Sequence, residues 1–174
     1  EALSLNDLEP AAATEDAERL RELIDEAGRL SGVKGDPKLA VLYHHLETLI
    51  KEGFRPVVFC RFIATARYVA EELQKLFGAR ACVDAITGEY TPEERQERVE
   101  KLGEEENPIL IATDCLSEGI NLQNVFDAVV HYDLSWNPTR HEQREGRVDR
   151  FGQGSKKGRC LMLYGEDNPV DGAV

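Results

Sequence analysis

The chain has 174 residues, of which 41% are hydrophobic and 31% are charged, and this suits one globular domain with an ordinary hydrophobic core. No stretch approaches the roughly 20 uncharged apolar residues that a membrane-spanning helix needs. The acidic, alanine-rich start also lacks the basic and then apolar plan of a signal peptide. We therefore expect a cytoplasmic protein that has no membrane contact.

The net charge of −12 is unevenly distributed along the chain. Residues 1–54 carry twelve acidic and six basic side chains, whereas residues 138–159 carry seven basic and three acidic ones. The overall charge argues against indiscriminate coating of nucleic acid, because that binding mode needs clustered Lys and Arg that face phosphates. We expect this domain to meet an anion at the basic segment.

Four cysteines lie far apart in the sequence and form no CxxC pair, namely Cys60, Cys82, Cys115 and Cys160. Three of them lie within apolar runs, which is typical of reduced cysteines in a hydrophobic core. We therefore predict neither a disulfide nor a metal site.

Two helices are predicted before the first strand, over residues 15–30 and 36–52, because apolar residues recur there at helical spacing. Asp36 is placed to cap the second helix, and Pro37 occupies its first position. The one soft boundary in the chain lies near residue 35.

From Pro56 onward, short apolar runs alternate with amphipathic segments, which is typical of buried parallel strands and their crossover helices. The helices are predicted over residues 63–77, 92–102 and 138–150. The five strands are predicted at Val57–Cys60, Cys82–Ile86, Ile109–Ala112, Ala128–Tyr132 and Cys160–Tyr164. This order predicts an α/β fold with a mostly parallel sheet flanked by helices, whose ligands bind beyond the carboxyl ends of the strands.

The basic segment contains the sequence QREGRVDRFGQ at residues 143–153. On the predicted helix, Gln143, Arg147 and Arg150 fall at i, i+4 and i+7 and therefore share one face. Two guanidiniums one turn apart suit the spread negative charge of a transferring phosphoryl group. The alternative is a solvated helix whose arginines pair with its own acidic side chains, Glu142, Glu145 and Asp149.

The pattern QRxGRxxRxGQ in that segment resembles the sixth motif of superfamily-two helicases and translocases, in the form used by the Swi/Snf-like group. The stretch DLSWNP at residues 133–138 is similar to the DxxWNP approach to that motif. Further upstream, IATDCLSEGINLQ at residues 111–123 resembles the fifth motif, and VVFCRF at residues 57–62 resembles the fourth. The resemblance covers about residues 36–165, and the Gly-Arg pair of the sixth motif favours the RapA-like branch.

This resemblance implies a RecA-like three-layer domain that forms the second lobe of an ATPase. It makes Arg147 and Arg150 the arginine fingers that reach the γ-phosphate of ATP, and Gln143 would help to couple the two lobes. Three residues of the fifth motif are implied to lie near the nucleotide and the lobe interface, namely Glu118, Gly119 and Asn121.

The resemblance also implies that Thr113 and Ser117 of the fifth motif face the nucleic-acid backbone. Thr113 follows an apolar strand, and its hydroxyl could bond a phosphate oxygen without carrying charge. The alternative is that Thr113 and Asp114 cap the short helix that follows, and the two roles are compatible. Further candidates at the same edge, with salt-bridge and turn roles as alternatives, are Arg61, Thr87 and Gly88.

The sequence contains no GxxxxGK[ST] phosphate-binding loop and no DExx segment after a strand that would hold Mg²⁺. We therefore expect ATP and Mg²⁺ to be held mainly by a missing N-terminal lobe, and we expect negligible ATPase activity from the chain alone. The first residue is Glu1, so a piece of a longer protein is expected. The expected organisation is an N-terminal helical extension or interlobe linker at residues 1–35, the RecA-like domain at residues 36–165 and a truncated tail at residues 166–174.

The expected partners are the N-terminal lobe of the same protein and nucleic acid. Duplex DNA is favoured over RNA, because the Trp-Asn-Pro approach and Gln153 resemble those of duplex-DNA translocases. Two alternatives stay open, namely a lobe of an RNA helicase and a catalytically silent module that docks a basic protein on its acidic face. The expected setting is a bacterial or archaeal cytosol, with association with the nucleoid as an option.

Overall fold

The computed structural model describes residues 10–117, 120–135, 137–148 and 158–165, except for the side chains of residues 10–15 and 117. The chain divides after Ala40 into two compact units. The predicted organisation into segments 1–35, 36–165 and 166–174 stays a prediction, and residues 166–174 lie outside the described ranges.

The first unit contains the helices α1 (Pro10–Arg29) and α2 (Gly32–Gly35) and the start of α3 (Pro37–Lys51). The predicted cap of α3 is confirmed, because the backbone N–H of Leu39 donates to Asp36 Oδ1 at 3.0 Å. Within the described ranges, no helix combines the length and the apolar character that crossing a bilayer requires.

The second unit is built on one sheet of five parallel strands in the order β2-β3-β1-β4-β5. The strands are β1 (Pro56–Phe59), β2 (Cys82–Ile86), β3 (Pro108–Ala112), β4 (Ala128–His131) and β5 (Arg159–Met162). All five predicted strands are confirmed, with ends that shift by at most two residues. The predicted α/β fold with a parallel sheet flanked by helices is confirmed as well.

Three helices follow the strands, namely α4 (Ile63–Phe77), α5 (Pro92–Glu104) and α6 (Pro138–Glu145). The chain moves outward from β1 to β2 and back from β2 to β3, so right-handed crossovers place α4 and α5 on opposite faces. Val99 and Leu102 of α5 pack with Val57 and Phe59 of the central strand in one hydrophobic cluster. The core therefore holds the carboxyl end of β1 in the middle of the sheet.

Helix α6 is shorter than the sequence predicts, because it ends at Glu145 and not at residue 150. Gly146 follows, and the backbone N–H groups of Arg147 and Val148 donate three residues back in a tighter turn. Glycine is a poor helix former and commonly ends helices. The predicted continuation of the helix through Arg147 is therefore wrong, since Arg147 lies in the turn. The common face of Gln143, Arg147 and Arg150 stays a prediction, because Arg150 lies outside the described ranges.

The four cysteines are free, as predicted, but they are not all core residues. Cys60 is buried, Cys82 and Cys115 are partly buried, and Cys160 is exposed. Cys160 lies on β5, which forms one edge of the described sheet, and this explains its exposure.

Candidate functional site

Four segments meet where the parallel strands end, at the edge of the sheet that the sequence predicts as the binding edge. The backbone N–H of Arg61, which follows β1, donates to Asp133 Oδ2, which follows β4, at 2.8 Å. A Cβ placed on Gly88, which follows β2, would lie 3.7 Å from the Cβ of Cys115, which follows β3. The backbone N–H of Cys60 also donates to the carbonyl oxygen of Ala112 at 2.8 Å, which brings together the segments that resemble the fourth and fifth motifs.

Arg144 of α6 is buried at this edge and is only 1% exposed. Its Nε donates to Asp114 Oδ1 at 2.7 Å, and its Nη1 donates to the carbonyl oxygen of Asp133 at 3.1 Å. The guanidinium also lies 5.2 Å from the ring centre of Phe59. Arg144 thus ties α6 to the ends of β1, β3 and β4. We call Arg144, Asp114, His131 and Asp133 the arginine junction.

The charges of the arginine junction follow from burial and from its hydrogen bonds. Burial would raise the pKa of Asp114, but the hydrogen bonds and charges of Arg144 and Arg140 outweigh it, so this pKa lies below its usual value. Burial and the nearby His141 and Arg144 hold the pKa of His131 well below its usual range. The junction therefore combines an ionised carboxylate, a guanidinium and a neutral imidazole.

A pocket opens from the junction toward solvent, and Arg61 and Arg140 lie at its border; we call these two residues the rim. Arg140 Nη1 donates to Asp114 Oδ2 at 2.9 Å, although the Arg140 side chain is 54% exposed. Three arginines and one carboxylate line this pocket, namely Arg61, Arg140, Arg144 and Asp114. This place is therefore locally positive in a chain whose net charge is −12.

The two predicted hydroxyl contacts that the structure describes, Thr113 and Thr87, are both buried. Thr113 is 6% exposed, its Oγ1 lies 3.2 Å from Cys115 Sγ, and its carbonyl oxygen accepts from Leu116 N at 3.0 Å. Thr87 is 1% exposed, and its hydroxyl donates to Glu89 Oε2 at 3.2 Å, which leaves no exposed hydroxyl for a phosphate. The turn role is thus the one that fits Thr87 here. The side chain of Ser117 lies outside the described part of the structure.

The residues predicted near the nucleotide lie partly within the described ranges. Gln123 Nε2 donates to the carbonyl oxygen of Gly146 at 3.0 Å, and Gln123 N donates to Asn121 Oδ1 at 3.1 Å. This places Asn121 next to the turn that carries Arg147. Gln143 is exposed on α6. Two further predicted residues lie outside the described ranges, namely Glu118 and Gly119.

The arginine junction and Arg140 were not among the site residues predicted from the sequence. The inward side chains of α6 and its following turn are His141, Arg144 and Val148, which are buried, and their spacing is i, i+3 and i+7. The helical period is present, but most of this stripe is polar, so a search for apolar periodicity does not detect it. The available signal in the sequence was the helical spacing of two polar residues with one apolar residue.

The sequence matches the family of the helicase conserved C-terminal domain over residues 37–152, which is more than half of the chain. The chain belongs to this family. Its place in the family of superfamily-two helicases agrees with the motifs, and the RecA-like α/β fold is confirmed by similar solved structures.

Curated relatives of this helicase domain come from different groups. Protein CHROMATIN REMODELING 4 of Arabidopsis thaliana is 28% identical over 134 residues, which are 76% of this chain and 6% of that protein. The ATP-dependent RNA helicase eIF4A of Saccharomyces cerevisiae is 36% identical over 97 residues, which are 56% of this chain and 24% of that protein. The uncharacterized ATP-dependent helicase YqhH of Bacillus subtilis is 56% identical over 45 residues, which are 26% of this chain and 8% of that protein. The chain thus spans less than a quarter of each.

Solved structures that are similar to this domain also come from different groups. The C-terminal part of the Fun30 ATPase domain superposes with a TM-score of 0.64 at 24% identity and covers 75% of this chain and 41% of that chain. The E. coli DEAD-box protein SrmB was solved bound to regulator of ribonuclease activity A. It superposes with a TM-score of 0.61 at 28% identity, and the match covers 76% of this chain and 72% of that chain. Both a chromatin-remodelling protein and DEAD-box proteins are therefore similar to this domain, and the Swi/Snf-like branch is not singled out.

Proposed function

We propose that this helicase domain is the second lobe of a nucleic-acid-dependent ATPase of the Swi/Snf-like kind, in which Arg147 and Arg150 act as arginine fingers. The observation that carries this proposal is the double attachment of the turn at Gly146 and Arg147. Before the turn, Arg144 is held by Asp114 at 2.7 Å, and within it, Gln123 donates to the Gly146 carbonyl at 3.0 Å. Both partners belong to residues 111–123, which resemble the fifth motif.

A finger contributes to catalysis only if its guanidinium is already positioned when charge develops on the transferring phosphoryl group. The arginine junction supplies that positioning for the backbone in front of Arg147. Guanidiniums suit this role, because they stay charged and present several N–H donors in a fixed plane. Asn121, beside the same turn, would lie close to the nucleotide.

ATP with Mg²⁺ supplies the γ-phosphoryl group, and an N-terminal lobe would hold both. This chain carries no GxxxxGK[ST] loop of its own. The residues of this chain would bind and orient the charged γ-phosphoryl group from the other side of the interface between the two lobes. Hydrolysis therefore requires the two lobes together, and the 174-residue chain alone should show negligible turnover.

The nucleic-acid backbone would lie along the rim. Arg61 and Arg140 are exposed there, in the locally positive area above the arginine junction. Contacts of this kind position a duplex without reading its sequence. Asp114 accepts from Arg140 of the rim, and Gln123 donates to the turn that carries Arg147, so nucleic-acid binding and finger position would be coupled through the segment that resembles the fifth motif.

Duplex DNA is the proposed substrate, and the DLSWNP segment at residues 133–138 supports it through its resemblance to duplex-DNA translocases. A lobe of an RNA helicase is the second candidate. The 36% identity to the RNA helicase eIF4A favours it. Both candidates use the same arginines, so they differ in the nucleic acid that stimulates hydrolysis.

The proposal is tested in the whole protein that contains both lobes. Arg147→Ala should lower kcat by about 10³-fold, because a finger stabilises charge in the transition state. Nucleic-acid affinity and the unfolding midpoint should stay close to those of the wild type. Arg98→Ala is the matched control, because Arg98 pairs with Asp84 on the surface, away from the rim. A near-normal kcat for Arg147→Ala, or robust turnover by the isolated chain, contradicts the proposal.

The substrate is tested by the stimulation of ATP hydrolysis by duplex DNA, single-stranded DNA and RNA at one salt concentration. A salt concentration common to all three is needed, because backbone binding depends steeply on salt. Duplex DNA should stimulate most. If RNA stimulates most, the second candidate is correct and the duplex-DNA assignment is wrong.

A further inference from the structure

One side chain from each of β4, α6 and β5 meets at a point that the proposed ATPase chemistry does not use. Glu145 Oε1 lies 3.2 Å from His131 Nε2 and 3.2 Å from Cys160 Sγ. All three donor atoms lie within 4.8 Å of one another. We call these three residues the His-Glu-Cys cluster.

We propose that His131, Glu145 and Cys160 form a binding site for a divalent transition metal ion of the zinc type. Such ions take imidazole nitrogen, carboxylate oxygen and thiolate sulfur as ligands. Bond lengths of about 2.0 to 2.3 Å place neighbouring donor atoms of a tetrahedron roughly 3.3 to 3.7 Å apart. The two separations of 3.2 Å are close to that value, so binding needs only small side-chain shifts.

The strand register explains why the sequence alone predicts no metal site here. Val129 pairs with Cys160 and His131 pairs with Met162, so His131 and Cys160 lie diagonally on one face of neighbouring strands. Glu145, the last residue of α6, reaches the same face. The three ligands come from separate elements and leave no short motif in the sequence.

The cluster also has an entry path and room for another ligand. A pocket reaches Glu145 and Cys160, and Val148 and Gly158 are among its other lining residues. Three protein ligands and an open side are the arrangement in which zinc takes water as its fourth ligand. An exchangeable metal therefore has access to these donors from solvent.

Binding of the metal changes the protons of the cluster in a defined way. Without metal, the Cys160 thiol donates to Glu145. Although the residue as a whole is exposed, partial desolvation of its thiol and the neighbouring Glu145 raise the pKa of this thiol to about 12. The metal–sulfur bond replaces the S–H bond, so one proton leaves to solvent for each ion bound. A metal ion on Nε2 requires the imidazole proton of His131 to move to Nδ1, so Nδ1 no longer accepts the hydrogen bond that Arg144 donates to it at 3.3 Å without metal. Arg144 keeps its acceptors on Asp114 and Asp133.

The ion would join the end of α6 to two strands directly in front of the turn that carries Arg147. It should therefore stabilise the folded chain and restrain that turn. The metal site does not depend on the proposed ATPase function, because binding and stability are measurable without nucleotide.

The test uses Co²⁺ as a spectroscopic probe on the full 174-residue chain. We expect a thiolate-to-cobalt charge-transfer band in the near ultraviolet, visible bands of a tetrahedral site, and loss of both when Zn²⁺ is added. Zn²⁺ should also raise the unfolding midpoint, whereas Mg²⁺, a hard cation that prefers oxygen ligands, should not. The absence of a thiolate-to-cobalt band from the folded wild type overturns the proposal.

Matched variants identify the ligands. Cys160→Ser should abolish the charge-transfer band, and Glu145→Gln should weaken Co²⁺ binding by at least about tenfold, as the loss of a ligand exceeds the usual effect of its supporting partners. Cys82→Ser is the control, because Cys82 is also a partly accessible cysteine on an edge strand, at the opposite side of the sheet. Circular dichroism checks that each variant folds. If Cys160→Ser does not fold, the Co²⁺ affinity of Glu145→Gln decides whether the cluster binds the metal. A band that survives in Cys160→Ser, or that disappears in Cys82→Ser, overturns the assignment.

Discussion

Arg144 and Arg140 lie one turn apart on α6 and share the carboxylate of Asp114, yet their surroundings differ. The Arg144 side chain is buried and also holds the Asp133 carbonyl, whereas the Arg140 side chain is largely exposed. Removing the acceptors of a buried guanidinium is costly, because its charge is left without solvent. An exposed guanidinium can exchange a carboxylate for a phosphate at little cost. Within one short helix, Arg144 therefore organises the edge and Arg140 is available for a ligand.

The largest effect is expected for Arg144→Ala, which should lower the free energy of unfolding by about 4 kcal/mol. The substitution removes the buried guanidinium that donates to Asp114 at 2.7 Å and to His131 at 3.3 Å, and it opens a cavity beneath α6. Denaturant unfolding of the chain measures the effect. Arg98→Ala, which removes an exposed pair, should change the same free energy by less than about 1 kcal/mol. Equal losses in the two variants would show that Arg144 does not organise the edge.

A smaller effect is expected when the shared carboxylate is removed. Asp114→Asn should cost about 2 kcal/mol at neutral pH, because the amide oxygen still accepts one hydrogen bond while the opposite charge is lost. Chemical denaturation at pH 7 measures this difference.

The pH dependence of this difference provides a second measurement. The pKa of Asp114 is lower in the folded than in the unfolded chain, so its contribution is complete above the unfolded pKa of about 3.9 and disappears as the pH falls through the folded pKa. Wild type and Asp114→Asn should therefore converge in stability in strong acid. A difference that stays constant down to that pH means that the Asp114 charge is not the source of the stabilisation.

The smallest change in stability is expected at the rim. Arg140→Gln should leave the unfolding free energy within about 1 kcal/mol of the wild type. In the whole protein, and given the proposed duplex-DNA binding, it should reduce the slope of log affinity against log salt by about one phosphate contact. Binding isotherms at several salt concentrations measure this slope, with Arg98→Gln as the control. An unchanged slope would show that Arg140 does not contact the nucleic-acid backbone.

Much of the fold was predictable because the relevant signals are local. The three inner strands, β1, β3 and β4, are short apolar runs, and continuous burial on both faces of a parallel sheet requires such runs. The cap at Asp36 was equally local, since the side chain and the N–H that it accepts lie three residues apart. Helix α6 was predicted too long, because the arginine spacing suggested one continuous face and Gly146 ends it.

The site was predictable only in part, for a different reason. The motif-like segments indicate which strand ends matter, and the structure brings the described ones to one edge. The buried side chain of Thr87 depends on how the turn after β2 folds against Glu89, and no residue pattern announces this.

The succession of strands and helices along the chain, the parallel sheet and the edge at which the motifs meet follow from the sequence, because apolar runs and turns act over a few residues. Which arginine is buried depends on the folded sheet, since Asp114 and Arg144 are 30 residues apart and meet only through the order of the strands in the sheet. The same holds for the His-Glu-Cys cluster, in which Glu145 lies 14 and 15 residues from its two neighbours. Burial and the distances between distant side chains give these residues their roles, and both arise only when the sheet has formed.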